Sequence, residues 1–484
     1  MHTSTRIPPY VALIPVCAGV FVAADDQTVI VTVLPEIIRE MGILPTELDR
    51  ASWTITGYLL GYLAAMPLLG RLSDVWGHRR LFLLSMALFM VGSVAVALTT
   101  SLEWLVAARV FQAVGAGALI PISIAIAGDL FPAGRRGLAL GLIGASAEAG
   151  GVIGPLWGGI IVRFLDWRWV FWINLPLGIV VLVAMVFLLV PSPRYRAKVD
   201  YVGGLLIAVS LASLTLAVSR IDSRDLAMFG YFAGAAAALA MFVVRQRSVD
   251  YPLLPGSMLR GAAFRGANAT HVLVGAALII GMVTVPLMAN TVMGLSPLDG
   301  GLWLMRMTAA IPVGAVLGGL ACQRVDYRIP AVLGLGLVAL GFSLMSGWDT
   351  SIGDPALTIH LALAGLGFGL LIAPIALAAT DSVGEDARGA AAGMVSASRV
   401  VGMALGLAAV TAWGSQRFDG LAPASEWPFQ LSSETVAELN DRLVQYQVWL
   451  VDAGTTLFNE FFLIAMAVSL VALVPAAFMA WRRG

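Results

Sequence analysis

Apolar residues run along this chain in fourteen stretches, each near the roughly 20 residues a helix needs to cross a hydrocarbon core about 30 Å thick. They lie near 10–35, 51–70, 80–99, 104–128, 138–162, 169–190, 200–219, 226–244, 266–291, 298–321, 330–347, 356–379, 389–415 and 455–481. They are too long and too uniformly apolar for the strands of a membrane barrel, so they predict helices. One polar segment, 416–454, is too long for a minimal turn. Pro423 and Pro428 mark its turn, and Ser432, Ser433 and Glu434 offer a helix start. Val436, Leu439, Leu443, Tyr446, Leu450, Ala453 and Leu457 then follow at spacings of three and four. This is a heptad seam leading into the last stretch. A helix over 434–481 would be about 70 Å long at 1.5 Å per residue. It either protrudes as a hairpin against an extended thirteenth span or lies as an amphipathic helix on the membrane surface. Gly454 offers a place for a local break.

Composition agrees with the pattern. Hydrophobic residues make up 59% of the 484 residues and charged ones 12%, against roughly 25% charged in an ordinary soluble domain. A soluble enzyme of this size would need more charge on its surface. Lys+Arg and Asp+Glu are both 29, without the basic excess of a nucleic-acid binder or the polarity of a disordered chain. The expectation is an all-α polytopic membrane protein. The apolar run continues past Asp26 to Ile38, longer than a signal-peptide core, so the first stretch is read as a span. Cys17 and Cys322 fall in or beside spans, with neither a disulfide framework nor a metal site in view.

Charge then sets the expected orientation. Segments after even-numbered spans carry Arg79 and Arg80, Arg135 and Arg136, Arg194, Arg196 and Lys198, Arg245 and Arg247, Arg324 and Arg328, and finally Arg482 and Arg483. The opposite loops are acidic or balanced, with Glu47, Asp49 and Arg50, then Asp299, then Asp349 and Asp354; residues 163–168 break the bias with Arg163 and Arg168, though Asp166 sits between them. Both termini are therefore expected in the cytoplasm of a bacterial inner-membrane protein. No Gly-x-x-x-x-Gly-Lys loop is present, which argues against direct ATP use and leaves an ion gradient, with no cofactor, as the energy source.

Between spans two and three stands Gly70-Arg-Leu-Ser-Asp74-Val-Trp-Gly77-His-Arg79-Arg80. Its glycines allow two helix ends to turn and approach closely. Asp74 can accept hydrogen bonds from a neighbouring helix N-terminus. A plain positive-inside loop would explain the arginines but not this spacing. In the fifth span, Gly150, Gly151, Gly154, Gly158 and Gly159 give the small-x-x-x-small spacing of tight helix packing, and Pro155 can bend the helix.

The loop run resembles the motif between the second and third helices of major facilitator superfamily transporters. Asp26 to Pro35 resembles the first-helix signature of that superfamily's fourteen-helix drug:proton antiporter branch. Arg109 to Gly117, Gly150 to Gly159 and Trp167 to Gly178 resemble its motifs in helices four, five and six. A degraded copy of the loop motif, from Gly319 to Asp326 and Arg328, stands at the equivalent place in the second half. The resemblance implies two six-helix halves that rock around a midplane site. The N-terminal half would be 1–190, a linker with two extra spans 191–261, and the C-terminal half, with the outer hairpin, 262–484. Trp53 to Gly70, Glu148 ahead of Gly154-Pro155, and Arg399 to Arg417 with Thr411 to Gly414 are similar to the mycobacterial triacylglyceride exporter subgroup. That likeness implies roles for Asp26, Glu148 and Arg399.

Charges inside a membrane are costly and mark function by default. Asp26 is the expected proton-coupling carboxylate, with a structural hydrogen-bonding role as the alternative. Asp25 lies about 100° away on the same helix. Glu148 and Arg399 are at similar depth in opposite halves, so an ion pair between them would be a lock or a purely structural contact. Arg109 is expected to anchor helix packing or assist proton transfer. Arg306 and Glu460 are candidates for lining the cargo path, though Arg306 can equally snorkel. His271 is expected near a helix end as a satisfied interfacial histidine. Gly70, Asp74, Gly77, Arg79, Arg80, Gly150, Gly154, Pro155 and Gly158 are the expected conformational motif. The reading is a proton-coupled, monomeric, non-enzymatic exporter of lipid, with a multidrug antiporter as the alternative. A membrane sensor or scaffold fits the motifs less well. Its partners would be lipid or amphipathic cargo, membrane lipids and a periplasmic lipid carrier, with no nucleic acid.

Overall fold

The computed structural model describes residues 7–43, 48–132, 134–191, 198–218, 220, 225–421 and 435–479. Arg194, Arg196, Arg482 and Arg483, and the hairpin residues Pro423, Pro428 and Ser432 to Glu434, lie outside the described residues. Among those described, the regular elements are helical. The first six are α1 (Pro9–Glu40), α2 (Leu48–Trp76), α3 (His78–Ala97), α4 (Leu102–Leu130), α5 (Arg136–Phe164) and α6 (Trp169–Leu188). A linking pair follows, α7 (Tyr201–Val218) and α8 (Leu226–Ser248), then a short α9 (Gly256–Arg260). The second set is α10 (Ala262–Thr291), α11 (Pro297–Ala321), α12 (Arg328–Met345), α13 (Ala356–Thr380), α14 (Arg388–Leu421) and α15 (Val436–Val471), ending in α16 (Leu473–Ala476). Fourteen of these helices are long and apolar enough to cross a membrane.

Local chemistry fixes many helix ends. Ser101, Asp225 and Ser296 cap α4, α8 and α11 through side-chain oxygens that accept from the third backbone N–H. Gly77 joins α2 to α3 at φ +92°, a conformation that favours glycine.

The two sets pack alike. In the first, α1 lies on α5, α2 on α4, and α3 on α4 and α6; in the second, α10 lies on α14, α11 on α13, and α12 on α13 and α15. These are the same pairings in the same order, the mark of a repeated six-helix unit. The halves meet chiefly where α5 crosses α11 and α2 crosses α14. The pair α7 and α8 packs on itself and on α2.

The last long helix departs from both readings of its outer part in detail. Thr435 caps α15, and Glu438 returns the bond in a capping box, so the described start falls just after Ser432–Glu434. The helix runs unbroken through Gly454, and its 36 residues are about 54 Å long at 1.5 Å per residue. It therefore projects beyond the hydrocarbon core and does not lie flat on it. The heptad seam is buried only from Ala453 onward, while Val436 is 71% exposed. Contact with α14 is made lower down, where Phe461 meets Trp413 and Gly414.

Candidate functional site

Asp26 and Arg109 are both 0% exposed. Arg109 Nη1 donates to Asp26 Oδ2 at 2.7 Å, while Gln112 Nε2 and Asn174 Nδ2 donate to Asp26 Oδ1 at 2.9 and 2.8 Å. Gln112 also accepts from Arg109 at 2.9 Å and donates to Ser93 Oγ at 2.8 Å. The guanidinium lies 4.1 Å from the Tyr58 ring centroid. Helices α1, α2, α3, α4 and α6 thus meet at one buried charge network, in which Arg109 Nε is left without a hydrogen-bond partner. Arg109, Gln112 and Asn174 each stand in a sequence motif, but nothing in those motifs states that they converge on Asp26. Asp26 is on the α1 stripe with Val22, Val29, Ile30 and Val33, facing the interior of its own half. The Asp26 side chain is not among those that line the cavity between the halves.

The wall is built by the neighbouring α1 face. A cavity of about 230 Å³ lies between the halves, mostly apolar, with Gln27 and Thr28 of α1, Tyr62 of α2 and Glu148 of α5 on one side. His271 of α10, Thr308 of α11, and Ser396 and Arg399 of α14 face them. Arg399 Nη1 donates to Glu148 Oε1 at 2.5 Å, bridging the two halves. Their side chains keep 26% and 16% exposure, so the pair opens onto the cavity and is otherwise enclosed. His271 is the tenth residue of α10, about 14 Å in at 1.5 Å per residue. It belongs to the cavity wall, which corrects its expected place at the membrane interface.

On one face, here called the terminal face because α1 begins there, the halves are sealed twice. Asp74 Oδ1 accepts from Gly389 N at 2.7 Å and Oδ2 from Ala390 N at 3.1 Å. A carboxylate of one half thereby caps the N-terminus of α14 in the other, where the helix dipole favours negative charge. A Cβ on Gly70 would stand 2.5 Å from the Gly389 carbonyl oxygen, so only glycine admits this approach. His78 bridges Asp74 and Asp129 at 3.2 and 2.7 Å. Arg71 donates to the Asp386 carbonyl at 2.6 Å and Arg79 to the Val186 carbonyl at 2.6 Å. Arg80 is exposed.

The second seal was not foreseen from sequence. Arg136 Nη1 donates to Asp381 Oδ1 at 2.8 Å and Tyr327 Oη to Oδ2 at 2.6 Å, while Gly137 and Gly319 bring α5 and α11 into backbone contact. Gln323, four residues after Gly319 as Asp74 is after Gly70, donates to the Arg135 carbonyl at 3.4 Å. The degraded motif copy therefore keeps its glycine but not its carboxylate, since Asp326 turns to Arg328. A positive loop residue, Arg136, supplies the charge instead.

The other expected residues fall elsewhere. Gly150, Gly154 and Gly158 seat α5 on α1, with Asp25 half-buried beside them. Pro155 is inside α5. Arg306 pairs with Asp354 at 2.7 Å and Thr358 at 2.8 Å. Arg417 grips both oxygens of Glu460 at 2.7 and 2.9 Å. Arg306 and Glu460 thus tie helices together and stand apart from the cavity wall described above.

The sequence pattern of the Major Facilitator Superfamily matches residues 16–407. The chain belongs to this superfamily. It is therefore a membrane transporter and not an enzyme. The triacylglyceride transporter of Mycolicibacterium hassiacum is 35% identical over 488 residues, covering 96% of this chain and 91% of that protein. That of Mycobacteroides abscessus is 35% identical over 476 residues, covering 92% of each. The crystal structure of the human organic anion transporter MFSD10 superposes with a TM-score of 0.63 at 16% identity, covering 96% of this chain and 99% of that one.

Within the superfamily fold, the Asp74 cap makes a direct prediction. Cys322 is 2% exposed and sits against Gly137 under the second seal, so it reports opening of the terminal face. In a Cys17→Ala background, Asp74→Asn is expected to raise the rate of Cys322 alkylation by a maleimide about tenfold. That corresponds to losing about 1–2 kcal/mol of charge–dipole and hydrogen-bond stabilisation. An unchanged rate would remove Asp74 from the closure.

Proposed function

We propose that the protein exports a lipid of triacylglyceride or glycolipid type across a bacterial inner membrane by alternating access, driven by the proton gradient. The observation that carries the reading is the Glu148–Arg399 pair spanning the halves inside a mostly apolar cavity. A pair that opens onto the cavity on one side can break when protonation or cargo competes for it. Relatives named as triacylglyceride transporters over nearly the whole chain support lipid as the cargo. The arginine-rich terminal face would be cytoplasmic, so this structure would be sealed on the cytoplasmic side. A cavity of about 230 Å³ takes a polar end group and leaves acyl chains in apolar surroundings. The projecting part of α15, with Val444 and Val448 exposed, offers those chains, or a periplasmic carrier, an apolar surface.

The test is transport by purified protein in liposomes. With an imposed pH gradient, trioleoylglycerol or a glycolipid should leave donor membranes faster than without it. Gradient-driven movement of cationic dyes with no lipid movement would instead establish the multidrug reading.

A further inference from the structure

His271 Nδ1 lies 2.7 Å from the Val395 carbonyl oxygen of α14. A carbonyl only accepts, so Nδ1 carries the proton, and Nε2 of the neutral ring is a bare acceptor. The same ring lines the central cavity and a water-sized hollow beside it, both shared with Arg399. Arg399 is already engaged by Glu148, so the pair presents no net charge to an ionic headgroup. Beside the second Glu148 oxygen, the Gln27 amide and the hydroxyls of Tyr62, Thr308 and Ser396, the wall then offers an uncharged acceptor held in a fixed direction, His271 Nε2. An acceptor held this way selects a donor, and the uncharged donor a lipid carries is a hydroxyl.

We propose that His271 is a specificity-determining residue whose Nε2 accepts a hydrogen bond from a free hydroxyl on the cargo, so that the site takes a partial glyceride or other hydroxylated neutral lipid in preference to a fully esterified one. This inference rests on the lipid reading above. The ring has two separable jobs, since Nδ1 ties α10 to α14 and Nε2 faces cargo. Asparagine places its amide N–H where Nδ1 stands and so keeps the tie without the acceptor. Glutamine reaches the Nε2 position and keeps an acceptor while giving up the tie.

The experiment is native mass spectrometry of the full-length protein offered 1,2-dioleoylglycerol and trioleoylglycerol together. Wild type should hold the diglyceride about fivefold more than the triglyceride, the worth of one neutral hydrogen bond. His271→Asn should bring that ratio to about one, and His271→Gln should retain most of it. Equal retention of both lipids by wild type overturns the proposal. So does the crossed result, in which Asn keeps the preference and Gln loses it, which would make the ring a tie between helices alone. Wild type holding neither lipid overturns glyceride recognition by His271, while the lipid reading itself stands or falls on glyceride and glycolipid transport in liposomes.

Discussion

Asp26→Asn is expected to lower stability as well as transport. Oδ1 accepts from Gln112 and Asn174 while Oδ2 accepts from Arg109. An amide can keep its oxygen on one of these sides only, so its N–H₂ must face a donor on the other. The substitution strands a fully buried guanidinium, and breaking a buried pair from one side costs about 3–5 kcal/mol. The thermal midpoint of the purified protein should fall clearly, and Arg109→Met should lower it similarly. The double variant Asp26→Leu with Arg109→Met should regain most of the loss, because apolar replacement of a buried pair is often close to neutral. Proton-driven transport is the deciding measurement. If the double variant is stable and still transports with the gradient, the network is structural and coupling lies elsewhere. Read from the sequence alone, Asp26→Asn is a clean probe of coupling; the surrounding donors show that only the paired replacement separates coupling from folding.

Charge reversal at the midplane should behave differently. Glu148→Arg and Arg399→Glu alone each place two like charges across the cavity and should reduce gradient-driven transport at least about tenfold. The swapped double should recover a coupling energy of about 0.5–3 kcal/mol when transport rates are compared in a double-mutant cycle. Strictly additive losses would show that the contact is incidental to the transport cycle.

Much of the fold is legible in the sequence. Fourteen apolar runs, and arginines sorted to alternate loops, follow from the cost of polar groups in hydrocarbon, which acts on each segment separately. The motif carrying Gly70 and Asp74 was legible for the same reason, because a glycine turn and a carboxylate four residues away are local requirements. The candidate site was legible in part. Glu148 and Arg399 were paired by depth, since two isolated charges in adjoining halves need partners. Arg136–Asp381 was not, because Arg136 reads as an ordinary positive loop residue and its partner is 245 positions away. Arg306 and Glu460 pair with Asp354 and Arg417, residues whose proximity no spacing announces.

The sequence by itself determined the helices, their number and the short list of membrane-embedded charges from hydropathy and local spacing, and the repeat through its resemblance to a known family. Only the tertiary structure decided which way each charge points. Asp26 and Gln27 are adjacent in sequence, yet 100° of helix rotation puts one in a dry network and the other on the cavity wall. Which face of a helix meets which neighbour depends on side-chain fit among several helices at once. That fit, not the hydropathy of any one span, turned His271 into a cavity residue and buried Asp26 among Arg109, Gln112 and Asn174.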